Sequence, residues 1–251
     1  MEEKDKVLSA ALAGLLHDVG KFAIRAGVGK SRTWDKEALQ DFKYQHALLT
    51  GDFIEEYVPS AWRTQVKTTA SSHHRPSQPE HRCLALADHL SAGERADLGD
   101  EQRAIQPRQL LSIFCSIEAD EKTTNQEAFL PLIPLELSPD TKKQAFFPAG
   151  PWEEGQVWKA YEVMWEQFCH DAAALRDAHE PSGNLEAYLE SLQLLLQRYT
   201  WCMPSAYYHS RPDISLYDHN RMTAALSAIL VSSARDDRTF ELLKENIAKV
   251  D

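Results

Sequence analysis

Residues 15–21 of the chain read LLHDVGK, and this stretch decides the fold. It closes an apolar segment whose large side chains recur at the spacing of one buried helix face. His17 and Asp18 stand side by side at the end of that face. An imidazole next to a carboxylate is a candidate pair of ligands for a divalent transition metal, which needs further ligands from elsewhere in the chain. The predicted buried face comprises Leu8, Leu12, Leu15, Leu16 and Val19.

Gly20 and Lys21 follow the pair within one turn. The same helix is predicted to continue through the pair, so that His17, Gly20 and Lys21 share another of its edges and Asp18 lies about 100° round it. A glycine in a helix interior costs about 1 kcal/mol relative to alanine. Its presence at position 20 therefore indicates that another element approaches the backbone closely there.

The composition is that of a soluble globular protein with room for one large domain or two small ones. Of the 251 residues, 43% are hydrophobic and 26% are charged. The net charge of -11 argues against a nucleic-acid-binding protein that acts alone, although not against a nuclease whose metals neutralise its site. No apolar run is expected to reach membrane-spanning length, and the charged residues before Val7 argue against a signal peptide. We therefore expect a cytoplasmic protein with no membrane partner.

The cysteines form no recognisable metal or disulfide pattern. They are widely separated, and no two are arranged as C-x-x-C. A thiolate zinc site and a disulfide framework are therefore unsupported. We expect buried or half-buried free thiols at Cys83, Cys115, Cys169 and Cys202.

The remaining pattern predicts a mainly α-helical protein. The aromatic face of the helix that starts at residue 157 is expected to pack in the core, as aromatic stripes at helical spacing usually do. Residues 26–33 are rich in glycine and basic side chains, and we expect a loop there that carries Lys30 and Arg32. Apolar spacing and breaker residues predict helices at 44–57, 61–71, 80–98, 157–178, 185–200 and 213–235.

The middle of the chain has a different pattern. Residues 110–117 and 129–137 are β-prone and are expected to form a small hairpin or two-strand insertion, with prolines confining the second run to an edge. Residues 138–155 are expected to be a connection. The predicted division is a core domain at 1–100, an insertion or linker at 101–155, and a helical segment at 156–251.

Further candidate metal ligands follow the first pair in a definite order. Each lies at an end or on an edge of a predicted helix, and the order is an HD pair, one histidine, a histidine pair and an aspartate. This order resembles that of two-metal HD phosphohydrolases. Imidazole and carboxylate ligands favour Mn, Ni or Co, with Zn or Fe as further candidates, as one or two ions. The residues are His17, Asp18, His46, His73, His74 and Asp88.

One expected ligand is missing. HD domains have another histidine on the helix before the HD pair, and residues 1–16 contain none. The natural replacement is His219 on the last long helix, because the termini of a compact domain often lie close together and a first helix can move to the end of the chain. We therefore predict a circularly permuted HD-domain helical bundle in which His219 lies beside His17.

Longer motifs are similar to one family. The segments AGLLHDVGK, HHRP, ALADHLSAGERAD and PDISLYDHNRMTAAL resemble the N-terminal region of the large signature subunit of type III CRISPR–Cas effector complexes, of the Csm type. The resemblance covers most of the chain but only the first part of such a subunit, without its palm domains. It implies a metal-dependent endo- or exonuclease that cleaves single-stranded DNA in antiviral defence. The implied partners are that DNA, other effector subunits with a guide RNA, and palm domains, which the aromatic face at 157–178 could contact.

The resemblance places the HD pair at His17 and Asp18 and the histidine of the family's YDH motif at His219. In the implied mechanism Asp18 would bridge two metals or anchor one, and a water whose pKa the metal lowers would attack phosphorus in line. Lys21 holds a phosphate oxygen or is a solvated lysine. The first metal would be completed by His17, Asp88 and His219, and the second would be held by His46, His73 and His74.

Other interpretations stay open. Lys30 and Arg32 could contact the DNA backbone, or they could simply solvate their loop. An HD phosphohydrolase acting on nucleotides or cyclic dinucleotides would use the same ligands. A non-catalytic scaffold would retain the fold without binding a metal.

Overall fold

The protein, described by a computed structural model, is mainly α-helical as predicted. The structure describes residues 3–29, 44–92, 109–116, 128–146, 150–206, 212–234 and 236–247. A short 3-10 helix spans Ile113–Ser116. Within the described ranges the α-helices are α1 Glu3–Leu16, α2 Val19–Arg25, α3 Gln45–Tyr57, α4 Ser60–Ser71, α5 Pro79–Ser91, α6 Pro139–Phe146, α7 Glu154–His179, α8 Leu185–Thr200, α9 Leu216–Ser233 and α10 Asp237–Ile247.

The first helix is interrupted at the HD pair, so the prediction of one continuous helix was wrong. His17 and Asp18 form a turn between α1 and α2. In a continuous helix the His17 carbonyl would accept from the Lys21 N–H, but that N–H bonds to the Asp18 carbonyl at 2.9 Å. The Thr50 hydroxyl of α3 donates to the His17 carbonyl at 2.9 Å and accepts from the Gly20 N–H at 3.0 Å. One side-chain hydroxyl therefore satisfies both backbone groups at the break.

Two glycines allow helices to approach α1 and α2 closely. A Cβ on Gly14 would stand 2.7 Å from the Ala224 Cα, where α9 crosses α1. A Cβ on Gly20 would overlap the His46 carbonyl oxygen of α3, which explains the glycine that the sequence marked as a site of close approach. The apolar stripe of α1 and α2 is buried as predicted, with at most 1% exposure at Leu12, Leu15, Leu16 and Val19.

The start of α9 is held by the end of α8. Pro204 and Ser215 form an antiparallel bridge. The Leu216 N–H donates to the Met203 carbonyl at 2.7 Å. The Ser215 hydroxyl caps the helix by accepting from the Asp218 N–H at 3.0 Å. These contacts fix the first turn of α9, which carries His219, against the core.

Most of the aromatic face of α7 packs in the core, as predicted, but Trp158 at its start is 36% exposed. Tyr161 and Phe168 are fully buried. The Phe168 ring stacks on Phe53 of α3, with centroids 5.1 Å apart and an interplanar angle of 5°. Phe22 of α2 meets Trp165 edge to face at 5.0 Å. This aromatic packing joins α7 to α2, which follows the HD turn, and to α3.

The middle of the chain differs from its prediction. The described residues of this part of the chain contain one antiparallel bridge, between Leu111 and Phe129, and no regular strand. Prolines in the second run explain why pairing stops after one bridge. Residues 138–155 contain α6 rather than only a connection, and α5 ends at Ser91 rather than near residue 98. The proposed boundaries at 100 and 155 stay predictions.

The C-terminal helix α10 was not predicted from the sequence. Its Phe240 lies with Cys83 in a small second cluster. Cys83, Cys169 and Cys202 are free thiols.

The segment Glu3–Arg25 is long and apolar enough by composition to cross a membrane, contrary to expectation, but 72% of its most apolar part is buried within the protein. A place at the centre of the core accounts for that apolarity.

We predict that Gly14→Ala destabilises the protein by about 1–3 kcal/mol, because the added methyl group would meet α9 backbone atoms that cannot move aside. Gly155→Ala is the matched control, since nothing lies within 4 Å of its Cβ position; it should be neutral or slightly stabilising. Urea unfolding of both variants measures the difference. Equal stability of Gly14→Ala and wild type would contradict the helix crossing described above.

Candidate metal centre

Two groups of metal-ligating side chains meet around the HD turn. The first draws on the turn itself, α5 and the first turn of α9. The second draws on the start of α3 and the residues just after α4. Within each group one ligand atom per residue lies within 4.8 Å of all the others. The first group is His17, Asp18, Asp88 and His219, and the second is His46, His73 and His74.

The first group brings two imidazole nitrogens against two carboxylates. His17 Nε2 lies 3.4 Å from Asp18 Oδ2 and 3.4 Å from Asp88 Oδ1. His219 Nε2 lies 3.4 Å from Asp18 Oδ2 and 3.1 Å from Asp88 Oδ1. Both Nε2 atoms are buried, and neither has a hydrogen-bond partner. A buried polar atom without a partner is costly, so these nitrogens are arranged for something other than protein contacts.

Backbone carbonyls fix the orientation of two of the rings. His17 Nδ1 lies 2.7 Å from the Gly14 carbonyl oxygen, and His73 Nδ1 lies 2.6 Å from the Ala70 carbonyl oxygen. A carbonyl oxygen only accepts, so each Nδ1 carries the proton. In the neutral ring the Nε2 lone pair is then free to bind a metal, and the Nε2 of His73 is likewise buried without a partner.

Asp18 lies between the two groups. Its Oδ2 faces His17 and His219, whereas its Oδ1 lies 3.4 Å from His46 Nε2. The side chain is almost fully buried. The ammonium group of Lys21 donates a hydrogen bond to Oδ2 and supplies positive charge beside it. A carboxylate whose two oxygens face different ligand groups is suited to bridge two metal ions.

The second group is partly open to solvent. His46 Nε2 lies 2.8 Å from His74 Nε2. The ring of Tyr44, 38% exposed, packs on His74 with centroids 4.3 Å apart. Burial lowers the pKa of His46 well below its usual range, that of His73 to about 3, and that of His74 to about 4. These rings are therefore neutral at pH 7, as imidazole ligands must be.

The first group is held together by charge. Burial alone would lower the pKa of His17, but the charges of Asp18 and Asp88 outweigh it and raise the pKa to about 10. Burial alone would raise the pKa of both carboxyls. Lys21 and His17 nevertheless hold the pKa of Asp18 well below its usual range, and His17 does the same for Asp88. Without a metal, Lys21 and protonated His17 are the cations that balance the two carboxylates.

These donor atoms fit a divalent transition metal. Three buried Nε2 atoms without partners converge with two carboxylates, and mixed imidazole and carboxylate ligation suits such ions better than calcium. His17, Asp18, Asp88 and His219 would hold one ion. The second histidine group, with Asp18 Oδ1, offers a place for another.

All seven ligand candidates from the sequence fall in these two groups, and Lys21 contacts one of them. Lys30 and Arg32 lie outside the described residues. Position 219 stands where the predicted permutation requires it, with its ring centroid 5.2 Å from that of His17; the permutation itself stays a prediction. No site role was predicted for Thr50 or Ser91. Helical spacing could have indicated both residues. Thr50 follows His46 by four positions and Ser91 follows Asp88 by three, so each lies on the same helix face as a ligand.

Helices that bring imidazoles together around an HD turn are the arrangement expected of an HD-type metal-binding domain. Residues 1–93 match the family model of the HD domain. The chain is 26% identical over 238 residues to the CRISPR system single-strand-specific deoxyribonuclease Cas10/Csm1 (subtype III-A) of Methanocaldococcus jannaschii. Residues 1–93 therefore resemble the HD domain, and most of the chain resembles part of that Cas10/Csm1 relative.

A solved structure shows the same fold. It is described as a Csm1-Csm4 cassette in complex with cA4, and the match has a TM-score of 0.51 at 18% identity. The alignments cover 87% and 89% of this chain but only 27% and 28% of the two relatives. The chain thus spans about a quarter of the length of the proteins that it matches.

We predict that His219→Ala lowers the affinity for Mn²⁺ or Ni²⁺ by at least about tenfold, since it removes one of the two Nε2 donors that face both carboxylates. Isothermal titration calorimetry of metal-depleted protein measures the change. His170→Ala is the control, because that side chain is 84% exposed on α7. An unchanged affinity in His219→Ala would exclude α9 from the metal centre.

We also predict that Thr50→Val costs about 1–3 kcal/mol, because it leaves the buried His17 carbonyl and Gly20 N–H without their partner. Metal affinity should fall as well, since the HD turn would lose its fixed shape. Thr68→Val is the matched control; the Thr68 hydroxyl bonds only to its own helix, at the Thr64 carbonyl, on the surface. Urea unfolding would contradict the account if both variants were equally stable.

Proposed function

We propose that this chain is the HD nuclease part of a type III CRISPR effector subunit and that it cleaves single-stranded DNA with the help of divalent metal. The observation that carries the proposal is the position of Asp18, whose two oxygens face two separate histidine groups. This arrangement lies largely within the segment that matches the HD domain. The name of the Methanocaldococcus relative, a single-strand-specific deoxyribonuclease, supports the choice of substrate.

The residues divide the work of phosphodiester hydrolysis among them. A bound divalent metal would supply a Lewis acid and a water of lowered pKa for attack on phosphorus. The Nε2 atoms of His17 and His219 both lie beside the Asp18 and Asp88 carboxylates, where their lone pairs can bind a metal once His17 is neutral. Lys21 already lies beside Asp18, where its ammonium group can bind a non-bridging oxygen of the phosphate. The preset ring orientations mean that little reorganisation is needed when the substrate binds.

The net charge of -11 bears on how DNA is held. Phosphate backbones are bound mainly by basic side chains, so this chain alone should bind DNA weakly. We propose that palm domains and other effector subunits, with a guide RNA, supply the remaining contacts. A cytoplasmic location is proposed with that assembly.

The decisive assay compares substrates. The purified chain with Mn²⁺ is incubated with end-labelled single-stranded DNA, the same sequence as a duplex, and mononucleotides or cyclic dinucleotides. We expect cleavage of the single strand and little turnover of the others. The double variant His17→Ala with Asp18→Ala should cleave at the background rate, because it removes a ligand of one group and the carboxylate shared by both.

His170→Ala, an exposed substitution, should cleave like wild type and controls for handling and trace nuclease. Undiminished cleavage by the double variant would show that His17 and Asp18 are not part of the catalytic site. Turnover of nucleotides with no cleavage of DNA would replace the proposal with a nucleotide phosphohydrolase. A wild-type protein that binds no metal would indicate a scaffold.

A further inference from the structure

His219 differs from the other oriented imidazoles in what holds its second nitrogen. The Nδ1 atoms of His17 and His73 meet carbonyls of their own segments, three residues earlier. The Nδ1 of His219 instead lies 2.8 Å from the hydroxyl oxygen of Ser91, which is on α5. Ser91 is 128 positions away in the chain, so this contact is long-range and depends on one side chain that can be replaced.

The proton arrangement around Ser91 follows from its neighbours. The Ser91 hydroxyl donates to the Asp88 carbonyl oxygen at 3.1 Å, and a carbonyl can only accept. Its lone pairs then face His219 Nδ1 and the Thr223 hydroxyl, which is 2.7 Å away and can donate to it. In this arrangement Ser91 presents a lone pair to His219 Nδ1, which then carries the proton, and the Nε2 lone pair is left facing the metal centre.

This choice opposes what the carboxylates alone would favour. His219 Nε2 lies 3.1 Å from Asp88 Oδ1 and 3.4 Å from Asp18 Oδ2. With no partner at Nδ1, the neutral ring would place its proton on Nε2, where a carboxylate could accept it. A ring in that tautomer cannot bind a metal through Nε2. The Ser91 hydroxyl is thus the contact that keeps the ring in the form that can bind metal.

We propose that Ser91 is a positioning residue of the metal centre: its hydroxyl selects the Nδ1–H tautomer of His219 and ties α9 to the helix that carries Asp88. The same oxygen contacts the backbone of one ligand and the ring of another, from segments far apart in sequence. Partners of this kind typically change metal affinity 10–100-fold when removed. The inference rests on the proposed metal centre and does not depend on the substrate.

The test compares Ser91→Ala with Ser91→Thr in the full chain. Ser91→Ala should weaken Mn²⁺ binding by about 10–100-fold in calorimetric titration, and Ser91→Thr, which restores the hydroxyl, should recover most of it. Ser232→Ala is the matched control. Ser232 is an exposed serine of α9 that donates to the carbonyl three residues earlier, as Ser91 does on α5. It should bind Mn²⁺ like wild type.

A second measurement separates positioning from a purely structural role. In metal-free protein labelled with ¹⁵N-histidine, the His219 signals should report the Nδ1–H form in wild type and a shift toward Nε2–H in Ser91→Ala. Thr223→Val, which keeps Ser91 but removes the hydroxyl beside it, serves if Ser91→Ala fails to fold; it should weaken Mn²⁺ binding relative to wild type by less than about tenfold, and an unchanged affinity would count against the proposal. A wild-type Nε2–H form, or a folded Ser91→Ala with unchanged tautomer and affinity, would overturn the proposal. Neither readout changes if the protein binds metal but cleaves no DNA.

Discussion

The hydroxyl of Thr50 holds open the break between α1 and α2, and the metal centre depends on that break. On a continuous helix, His17 and Asp18 would point about 100° apart. The turn lets both side chains enter one site, and Thr50 replaces the helical bonds that the turn gives up. The same contact requires α3 to lie against α2, which is possible only because Gly20 has no side chain. That approach also brings His46 to Asp18.

Burying two carboxylates in this site costs free energy, and that cost favours the binding of cations. Moving a carboxylate out of water without a partner is far more costly than a typical protein's margin of stability allows. Asp18 is balanced by Lys21 and by protonated His17, and the same His17 lies beside Asp88. A divalent metal would take over this balance and satisfy Nε2 atoms that the protein leaves without partners. Because the metal would bind the folded state and not the unfolded state, it would also stabilise the fold by mass action.

Much of this organisation could be predicted from the sequence, because helical periodicity and ligand chemistry are local properties. The buried stripe of α1 and most of the aromatic face of α7 followed from spacing and residue type, whereas the grouping of the histidines was predicted from the resemblance to HD-type proteins. The break at His17 and Asp18 could not be predicted so, since the hydroxyl that stabilises it lies on another helix. α6 and α10 were missed for a related reason: short, polar segments carry a weak periodic signal. The single bridge between Leu111 and Phe129 shows that β-prone residues form strands only where a partner can continue the pairing.

We infer that Asp18 lies between two metal positions. This can be tested with a crystal of the protein soaked in Mn²⁺ and measured at a wavelength with strong manganese anomalous scattering. We expect anomalous peaks on both sides of the Asp18 carboxylate, one among His17, Asp88 and His219 and the other among His46, His73 and His74. Full manganese occupancy elsewhere on the protein, with no peak beside Asp18, would contradict it.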